Sequence, residues 1–312
     1  MSFSQEVKAE IGQNILHPCC QRAQLAAFIQ LCSTLSISSG KMTLNIRIEN
    51  PTTAKRIWVL LKELYGVETE LSVIKKMNLK KNNIYYIRVL GEAKKILENL
   101  YLLKDGKLVH HPQAQLVKKE CCARAYLAGS FLATGSVNSP QKSNYHLEMV
   151  ANDEEHGQYV IRIMKRFDLP AKYIKRRNQH VAYLKQSEKI SDFLRCIGAH
   201  NAVMDFENHR IQRDFKNNFI RLDNCELANE VKTLNASKKQ LEDIQKIIDK
   251  GRFEMMDEKL QEIANLRIEF EDYSLIELCE EYKVQYKKEI SKSGMKHRFS
   301  KIKELANMIQ EK

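Results

Sequence analysis

Long hydrophobic segments are absent from the 312-residue sequence, and no apolar run approaches the roughly 18 residues that a membrane-spanning helix needs. The start, MSFSQEVKAEIGQNILH, carries acidic residues and lacks the apolar segment of a signal peptide. We therefore expect a cytoplasmic protein without membrane contact. Hydrophobic residues make up 43% of the chain and charged residues 29%, a balance typical of folded globular proteins. At roughly 150 residues per domain, the length predicts about two domains.

Cysteine patterns typical of metal sites are also absent. The cysteines form no Cys-x-x-Cys pair and no cysteine–histidine pair at zinc-site spacing. We therefore expect no metal site and no cofactor, and we interpret the thiols as reduced and buried. The eight residues are Cys19, Cys20, Cys32, Cys121, Cys122, Cys196, Cys225 and Cys279.

Acidic side chains are outnumbered by basic ones. The chain has 39 Asp and Glu against 51 Lys and Arg, which gives a formal net charge of +12. Such an excess favours a polyanionic partner, because Lys and Arg bind phosphates. Ribosomal proteins and ordinary basic enzymes share this balance, so the charge alone does not identify the partner.

An internal repeat is present near the start of each half of the chain's first 200 or so residues. The segments are CCQRAQLAAFI (residues 19–29) and CCARAYLAGSF (residues 121–131), and six of the eleven aligned positions are identical. Both segments are rich in helix-forming Ala and Leu. Small residues one turn apart, Ala23 and Ala27 against Ala125, Gly129 and Ala133, predict two helices that pack closely on each other.

The order of the elements that follow each repeat also recurs. We predict a strand with period-2 alternation, then a helix, two further strands and a short closing helix. In the first half these are residues 42–48, 53–65, 69–75, 84–89 and 92–100; in the second they are residues 144–149, 154–167, 172–177, 181–184 and 188–196. The sequence therefore predicts a duplicated α/β unit.

The second copy of the repeat is similar to a known helix. AYLAGSFLATGS (residues 125–136) resembles a degenerate LAGLIDADG helix of homing endonucleases, and QLAAFIQLCS (residues 24–33) resembles its partner. For residues 2–196 the resemblance implies an α+β fold. In it the two helices lie side by side at a pseudo-twofold axis, and antiparallel sheets form a saddle over DNA.

The acidic residues that cleavage requires are missing. Two-metal hydrolysis of a phosphodiester needs carboxylates, and the resemblance places these acids at Cys32 and Thr134. No Asp or Glu occurs between Glu10 and Glu49. We therefore predict a protein that is not an enzyme; the alternative is a metal-dependent endonuclease that uses acids elsewhere.

Basic residues cluster on the predicted strands of both halves, with Tyr173, His180 and Tyr183 interleaved in the second. These clusters favour phosphate contacts, and a solvated sheet face is an equal alternative. The second-half residues are Lys172, Lys175, Arg176, Arg177 and Lys185; the first-half residues are Lys75, Lys76, Lys80, Lys81 and Arg88.

Helical periodicity replaces the alternating pattern from about residue 199. We predict a connecting segment at residues 217–234, a helix at residues 257–270 with Leu266 to Ile268 on its inner face, and a helix capped by Ser274 with Glu277 as its capping box. An eight-residue connection, KVQYKKEI (residues 283–290), then leads to a third helix from Ser291. This order is typical of a helix-turn-helix, which we predict to begin at Ser274 and to end at Met308.

The third helix combines an apolar stripe with basic faces. Met295, Phe299, Ile302, Leu305 and Ile309 form the stripe, and no acid occurs between residues 291 and 303. The basic, hydroxyl-rich N-terminal end of this helix predicts contacts with base edges and phosphates in the major groove. The alternative is a basic surface helix of an ordinary bundle. The predicted DNA-binding residues are Ser291, Lys292, Ser293, Lys296, His297, Arg298, Lys301 and Lys303.

A degenerate LAGLIDADG region followed by a helix-turn-helix that ends in ISKSGMKHRFSKIKELA resembles the WhiA family of Gram-positive bacteria. The most specific segments are residues 125–136, 217–234 and 290–305. The resemblance implies a nucleoid protein that binds double-stranded DNA. It is associated with sporulation transcription in some members and with cell division and chromosome segregation in others.

We accordingly predict three regions: a LAGLIDADG-like domain (residues 1–198, with halves at 1–105 and 115–198), a helical linker (199–250) and a helix-turn-helix domain (251–312). Further expected partners are another transcription factor or a division protein, and we expect no small-molecule substrate. A cell-division scaffold, in which the saddle binds protein, is the remaining alternative.

Overall fold

A computed structural model describes residues 2–38, 41–75 and 83–310. The chain divides into two compact units, residues 1–213 and residues 214–312. Each is described in turn.

The first unit consists of two similar halves. The first half contains α1 (Phe3–Ile11), α2 (Pro18–Cys32), β1 (Ser33–Ser38), β2 (Lys41–Ile48), α3 (Pro51–Tyr65), β3 (Thr69–Lys75), β4 (Asn83–Val89) and α4 (Ala93–Asn99). A small ribbon, β5 (Leu103–Lys104) and β6 (Lys107–Leu108), follows. The second half contains α5 (Glu120–Thr134), β7 (Gly135–Val137), β8 (Leu147–Ala151), α6 (Glu154–Lys165), β9 (Lys172–Arg176), β10 (Gln179–Leu184) and α7 (Ser187–Cys196).

Each half forms a four-stranded antiparallel sheet, and the strand orders correspond: β1-β2-β4-β3 in the first and β7-β8-β10-β9 in the second. The predicted duplication is therefore confirmed. The sequence prediction lacked the edge strands β1 and β7 and the helix α1. Each edge strand is short, is rich in Ser, Thr or Gly, and begins directly after the last residue of a helix, so no turn signal precedes it.

Local capping fixes where the helices begin and end. At α3, the Asn50 side chain accepts a hydrogen bond of 2.9 Å from the Thr53 amide, Pro51 occupies the first turn, and Gly66 ends the helix with φ +60°. At α6, the Asp153 side chain caps the His156 amide at 2.8 Å.

Helices α2 and α5 pack against each other in the core of this unit. Ala23 and Ala27 are fully buried, and a Cβ built on Gly129 would lie 2.6 Å from the Gln24 carbonyl oxygen and 2.9 Å from the Ala27 Cβ. Only a residue without a side chain fits there. The prediction that the small residues allow a close approach is confirmed.

The second unit is all-helical in its described residues. A 50-residue helix, α8 (His200–Asp249), begins in the first unit and continues into the second, where α9 (Glu258–Glu269), α10 (Leu275–Tyr286) and α11 (Lys292–Gln310) follow. Leu278, Tyr282, Met295, Phe299 and Ile302 are buried in one apolar core, to which α8 contributes Ile244 and Ile247.

Two details around α9 and α10 differ from the sequence prediction. Helix α10 extends to Tyr286, so the connection to α11 spans residues 287–291 rather than eight residues. The side chain of Ile268 is 41% exposed, and Arg267 is buried in its place, because its guanidinium binds backbone carbonyls at the end of α9.

The end of α11 differs as well. We predicted that the helix-turn-helix ends at Met308, but α11 continues past this residue to Gln310, so Met308 does not mark a boundary. Its side chain is 64% exposed, because it lies outside the apolar stripe that packs on the core. The predicted stripe residue Ile309 has a side chain outside the described part of the chain.

Candidate nucleic-acid interface

The two positions aligned with nuclease acids occupy equivalent places. Cys32 is the last residue of α2 and Thr134 the last residue of α5. The Thr134 hydroxyl donates a hydrogen bond of 2.7 Å to the Val150 carbonyl, so it is used within the fold. Burial raises the pKa of the Cys32 thiol to about 12, and the positive charge of Lys8 opposes this rise. Neither side chain offers the carboxylate that a hard divalent cation requires.

A lysine of α1 lies close to these helix ends. The Lys8 ammonium nitrogen lies 5.8 Å from the centre of the Phe131 ring on α5, and burial lowers its pKa to about 8. Helix α1 is held there by the hydroxyl of Ser4, which accepts a hydrogen bond of 3.3 Å from the Val137 amide. The ammonium group places positive charge beside Cys32.

Sequence reasoning missed Lys8, although a signal was present. Ser2 and Gln5 form a capping box at the start of α1, and Phe3, Val7 and Ile11 are buried at helical spacing. These features predict a short amphipathic helix that carries Lys8 into the fold.

The basic cluster of the second sheet is divided between the two faces of that sheet. Ala182 and Leu184 of β10 point into the core, so Tyr183 points to the other face, and Lys172 pairs with it. Alternation along β9 puts Arg176 on the same face as Lys172. The Lys185 ammonium lies 5.4 Å from the Tyr183 ring centre.

The remaining members of that cluster lie elsewhere. Lys175 pairs with His180 on the core-facing side, and Arg177 lies at the β9–β10 turn with φ 56°. All five basic residues are exposed. An acid also lies on the open face: Glu148 pairs with Tyr183 and accepts a hydrogen bond of 3.0 Å from His146.

Two cations of the basic cluster predicted for the first sheet are described. Arg88 lies 3.7 Å from the carboxylate of Glu70 on the neighbouring strand, and Lys75 is exposed at the end of β3. Lys76, Lys80 and Lys81 lie outside the described residues.

Most of the predicted DNA-binding side chains of α11 are exposed together. Ser291 caps the helix, because its hydroxyl accepts a hydrogen bond of 3.1 Å from the Gly294 amide. Met295, Phe299 and Ile302 turn inward, which leaves the polar face outward. The exposed residues are Lys292, Ser293, Lys296, His297, Lys301 and Lys303.

Arg298 differs from its neighbours because it is half-buried against α10. Its guanidinium donates a hydrogen bond of 3.1 Å to the Tyr282 hydroxyl, which donates one of 2.6 Å to the buried Glu262 carboxylate. Lys288 donates to the other oxygen of that carboxylate at 2.6 Å. Burial alone would raise the pKa of the Glu262 carboxyl. The hydrogen bonds from Lys288 and Tyr282 and the charge of Arg298 together lower this pKa by more, so the net shift is downward. Arg298 thus joins α11 to α10.

The cysteines are arranged differently from the expectation. All eight are free thiols, but Cys121 and Cys225 are exposed, so the expectation of uniform burial is wrong. The sulfur atoms of Cys19, Cys20, Cys121 and Cys122 lie within 4.8 Å of one another. Each repeat supplies two adjacent cysteines, so spacing along the chain gives no sign of this cluster.

Among the described residues, no helix is both long and apolar enough to cross a membrane.

Known proteins are similar to this chain over nearly its whole length. Residues 18–103 match the WhiA N-terminal LAGLIDADG-like domain, residues 123–216 the WhiA LAGLIDADG-like domain, and residues 220–306 the WhiA C-terminal HTH domain. A probable cell division protein WhiA of Bacillus licheniformis is 44% identical over 99% of this chain and 98% of its own. The protein of the same name from Macrococcus caseolyticus is 43% identical over 99% of this chain and 97% of its own.

Solved structures show the same fold. The crystal structure of a full-length WhiA from Thermatoga maritima has a TM-score of 0.59 and 21% identity, and covers 99% of both chains. An N-terminal LAGLIDADG domain of WhiA has a TM-score of 0.52 and 24% identity, over 63% of this chain and 90% of its own. At these identities the likeness concerns the fold alone.

Proposed function

The chain belongs to the WhiA family, and from that premise we propose that it is a non-enzymatic DNA-binding protein of cell division and chromosome segregation that also regulates transcription, as a sporulation-type regulator does. Its partner is double-stranded DNA, joined by another transcription factor or a division protein, with no membrane and no small-molecule substrate. Binding to chromosomal DNA places it in the cytoplasm at the nucleoid.

The observation that carries this proposal is the exposed, acid-free start of α11. Ser293 and His297 lie four residues apart and share a helix face with Lys301, so this face reaches base edges. Lys292 and Lys296 bind phosphates on one flank, joined by Lys303. Ser291 and Arg298 act indirectly, because one caps the helix and the other fixes it against α10.

The duplicated unit supplies a second, weaker contact. Lys172 and Lys185 flank Tyr183 on the open face of the second sheet, and Arg176 lies further along the same face; all three bind phosphates there, and Lys175 and Arg177 extend this charge at the sheet edge. Two modest sites on one chain raise the overall affinity when both bind the same DNA. The unit does not cleave DNA, because Cys32 and Thr134 replace the metal-binding acids.

The direct test removes two exposed lysines of α11. We expect Lys296→Ala/Lys303→Ala to weaken binding to duplex DNA and to reduce the slope of log K against log salt by about 2, since each phosphate contact contributes about 0.9. Arg298 is left intact because its loss would also loosen the packing of α10 and α11.

A matched control removes the same charge elsewhere in the second unit. Lys238 and Lys259 are exposed on α8 and α9, and Lys238→Ala/Lys259→Ala is expected to retain most of the affinity and the salt slope. Fluorescence anisotropy with the full-length chain across a salt series measures both quantities. Unchanged binding by the α11 variant, or an equal loss in the control, contradicts the assignment.

A further inference from the structure

The sulfur atoms of four cysteines meet where the first turns of α2 and α5 come together. Cys19 and Cys20 lie in the first turn of α2, Cys121 and Cys122 in the first turn of α5, and every pair of sulfur atoms is within 4.8 Å. Cys20 and Cys122 are buried, Cys19 is half-buried and Cys121 is exposed. The cluster is thus enclosed on one side and open to solvent on the other.

The distances between the sulfur atoms suit one tetrahedral metal ion. A zinc–sulfur bond of about 2.3 Å gives a tetrahedron whose sulfur atoms are about 3.8 Å apart. The Sγ atoms of Cys19 and Cys20 are 3.9 Å apart, and those of Cys121 and Cys122 are 4.0 Å apart. The longest separation needs to contract by only about 1 Å, which small rotations about the Cα–Cβ bonds supply.

The helix ends favour negatively charged sulfur, whereas burial raises the pKa of the Cys20 and Cys122 thiols. The amide groups at the start of a helix carry a partial positive charge, and here two such ends converge on the same four sulfur atoms. A cavity of about 380 Å³ is lined by Cys20, Cys121 and His200, among others, and gives an ion access from solvent. A site of four thiolates and one divalent cation carries a net charge of −2, which the partial positive charges of the two helix ends reduce.

Zinc fits better than the other metal centres that cysteines hold. Four thiolates are a typical ligand set for structural zinc, whereas hard cations prefer oxygen. An iron–sulfur cluster has several metal ions and sulfides of its own and needs a wider space between its cysteines. Sulfur atoms this close to one another leave room for a single ion.

We propose that Cys19, Cys20, Cys121 and Cys122 bind one Zn²⁺ ion in tetrahedral geometry and so join the two halves of the duplicated unit. Binding converts the four thiols into thiolates and releases their protons to solvent. The ion connects the N-terminal ends of α2 and α5, at the opposite end of these helices from Cys32 and Thr134. The site stabilises the first unit and is independent of DNA binding by α11.

The test measures the metal content of the full-length, untagged chain, purified under reducing conditions without chelators or a metal-affinity step. Elemental mass spectrometry is expected to find one zinc ion per chain. Replacing zinc with Co²⁺ is expected to produce the intense visible absorption and the sulfur-to-metal charge-transfer band of a tetrahedral cobalt thiolate site.

Variants separate the cluster from the other thiols. Cys19→Ser/Cys121→Ser changes the two more accessible ligands and is expected to lose zinc and the cobalt bands while the far-UV circular dichroism stays unchanged. Cys225→Ser/Cys279→Ser removes two thiols outside the cluster and is expected to keep both signals. If the cluster variant fails to fold, zinc release from the unmodified chain on titration with a mercurial gives the stoichiometry directly.

Three results overturn the proposal. The first is a reduced chain that holds no zinc as isolated and takes up none from added ZnCl₂. The second is stoichiometric iron in place of zinc. The third is a mass deficit showing that the four cysteines are paired as disulfides in the freshly isolated chain.

Discussion

Substitution of Gly129 by alanine tests the contact between α2 and α5 at its closest point. Alanine favours a helix over glycine by about 1 kcal/mol, so this change stabilises an ordinary helix. Here the new methyl group would lie 2.6 Å from the Gln24 carbonyl oxygen and 2.9 Å from the Ala27 Cβ. Neither atom is the end of a flexible side chain, so the helices themselves must separate.

The expected outcome is a net loss of stability. Overpacking of a well-packed core costs typically 1–3 kcal/mol, and a clash with backbone belongs at the upper end of that range. After the helix-propensity gain is subtracted, Gly129→Ala should lower the free energy of unfolding of the first unit by about 2 kcal/mol. Gly157→Ala is the matched control, because a Cβ on this α6 glycine meets the Tyr173 ring at 3.3 Å and the Ala151 Cβ at 3.7 Å, and no atom closer than these.

The single tryptophan makes the measurement specific to the first unit. Trp58 lies on α3, so its fluorescence during urea unfolding reports on this unit and not on the helix-turn-helix. The urea midpoint of Gly129→Ala should fall, while that of Gly157→Ala should change little. A Gly129→Ala chain as stable as the original would show that the helices are not in close contact at this position.

Two further predictions concern Cys32 and Thr134 and the core of the second unit. Supercoiled plasmid should stay intact with Mg²⁺ or Mn²⁺, because Cys32 and Thr134 offer no carboxylates; cutting that EDTA abolishes would contradict this. The pKa of Glu262 is lower in the folded than in the unfolded chain. The ionised carboxylate therefore stabilises the fold above the unfolded pKa of about 4.3, and this stabilisation is lost as the pH falls through the lower pKa of the folded chain. Lys288→Gln should therefore lower the unfolding temperature of the second unit at neutral pH, measured by calorimetry, and should move acid unfolding to higher pH. Lys287→Gln serves as the control, and an equal shift there would argue against the Glu262 contact.

Periodicity and repetition predicted most of the fold because each buried element has a clear pattern. The strand predicted at residues 84–89 agrees with β4 to within one residue, and the capping box of Ser274 and Glu277 is present. The edge strands β1 and β7 escaped detection because they follow a helix without a turn and are largely polar. The connection before α11 was overestimated because Val284 and Tyr286 continue α10 without a strong apolar pattern, and Val284 is 72% exposed.

Contacts between distant parts of the chain decide what the sequence could not show about the sites. In the sequence, Arg298 cannot be distinguished from the other basic residues of α11. In the structure, its hydrogen bond to Tyr282 gives it a structural role. Lys172 and Lys175 belong to one cluster in sequence, but strand alternation sends them to opposite faces of the sheet. The cysteine cluster requires two segments about a hundred residues apart in the chain to meet, and no local spacing encodes that.

The two ends of the helix pair α2–α5 carry partial charges of opposite sign, and side chains of the chain lie near both ends. The carbonyl groups at the C-terminal ends carry partial negative charge, which bound cations would offset in a nuclease. Lys8 supplies an ammonium group there, whose pKa burial lowers to about 8. At the N-terminal ends, where anions are favoured, four cysteine thiols take the corresponding place. An ammonium group at one end and, in the proposed zinc site, thiolates at the other thus match the partial charges of the two ends of the helix pair.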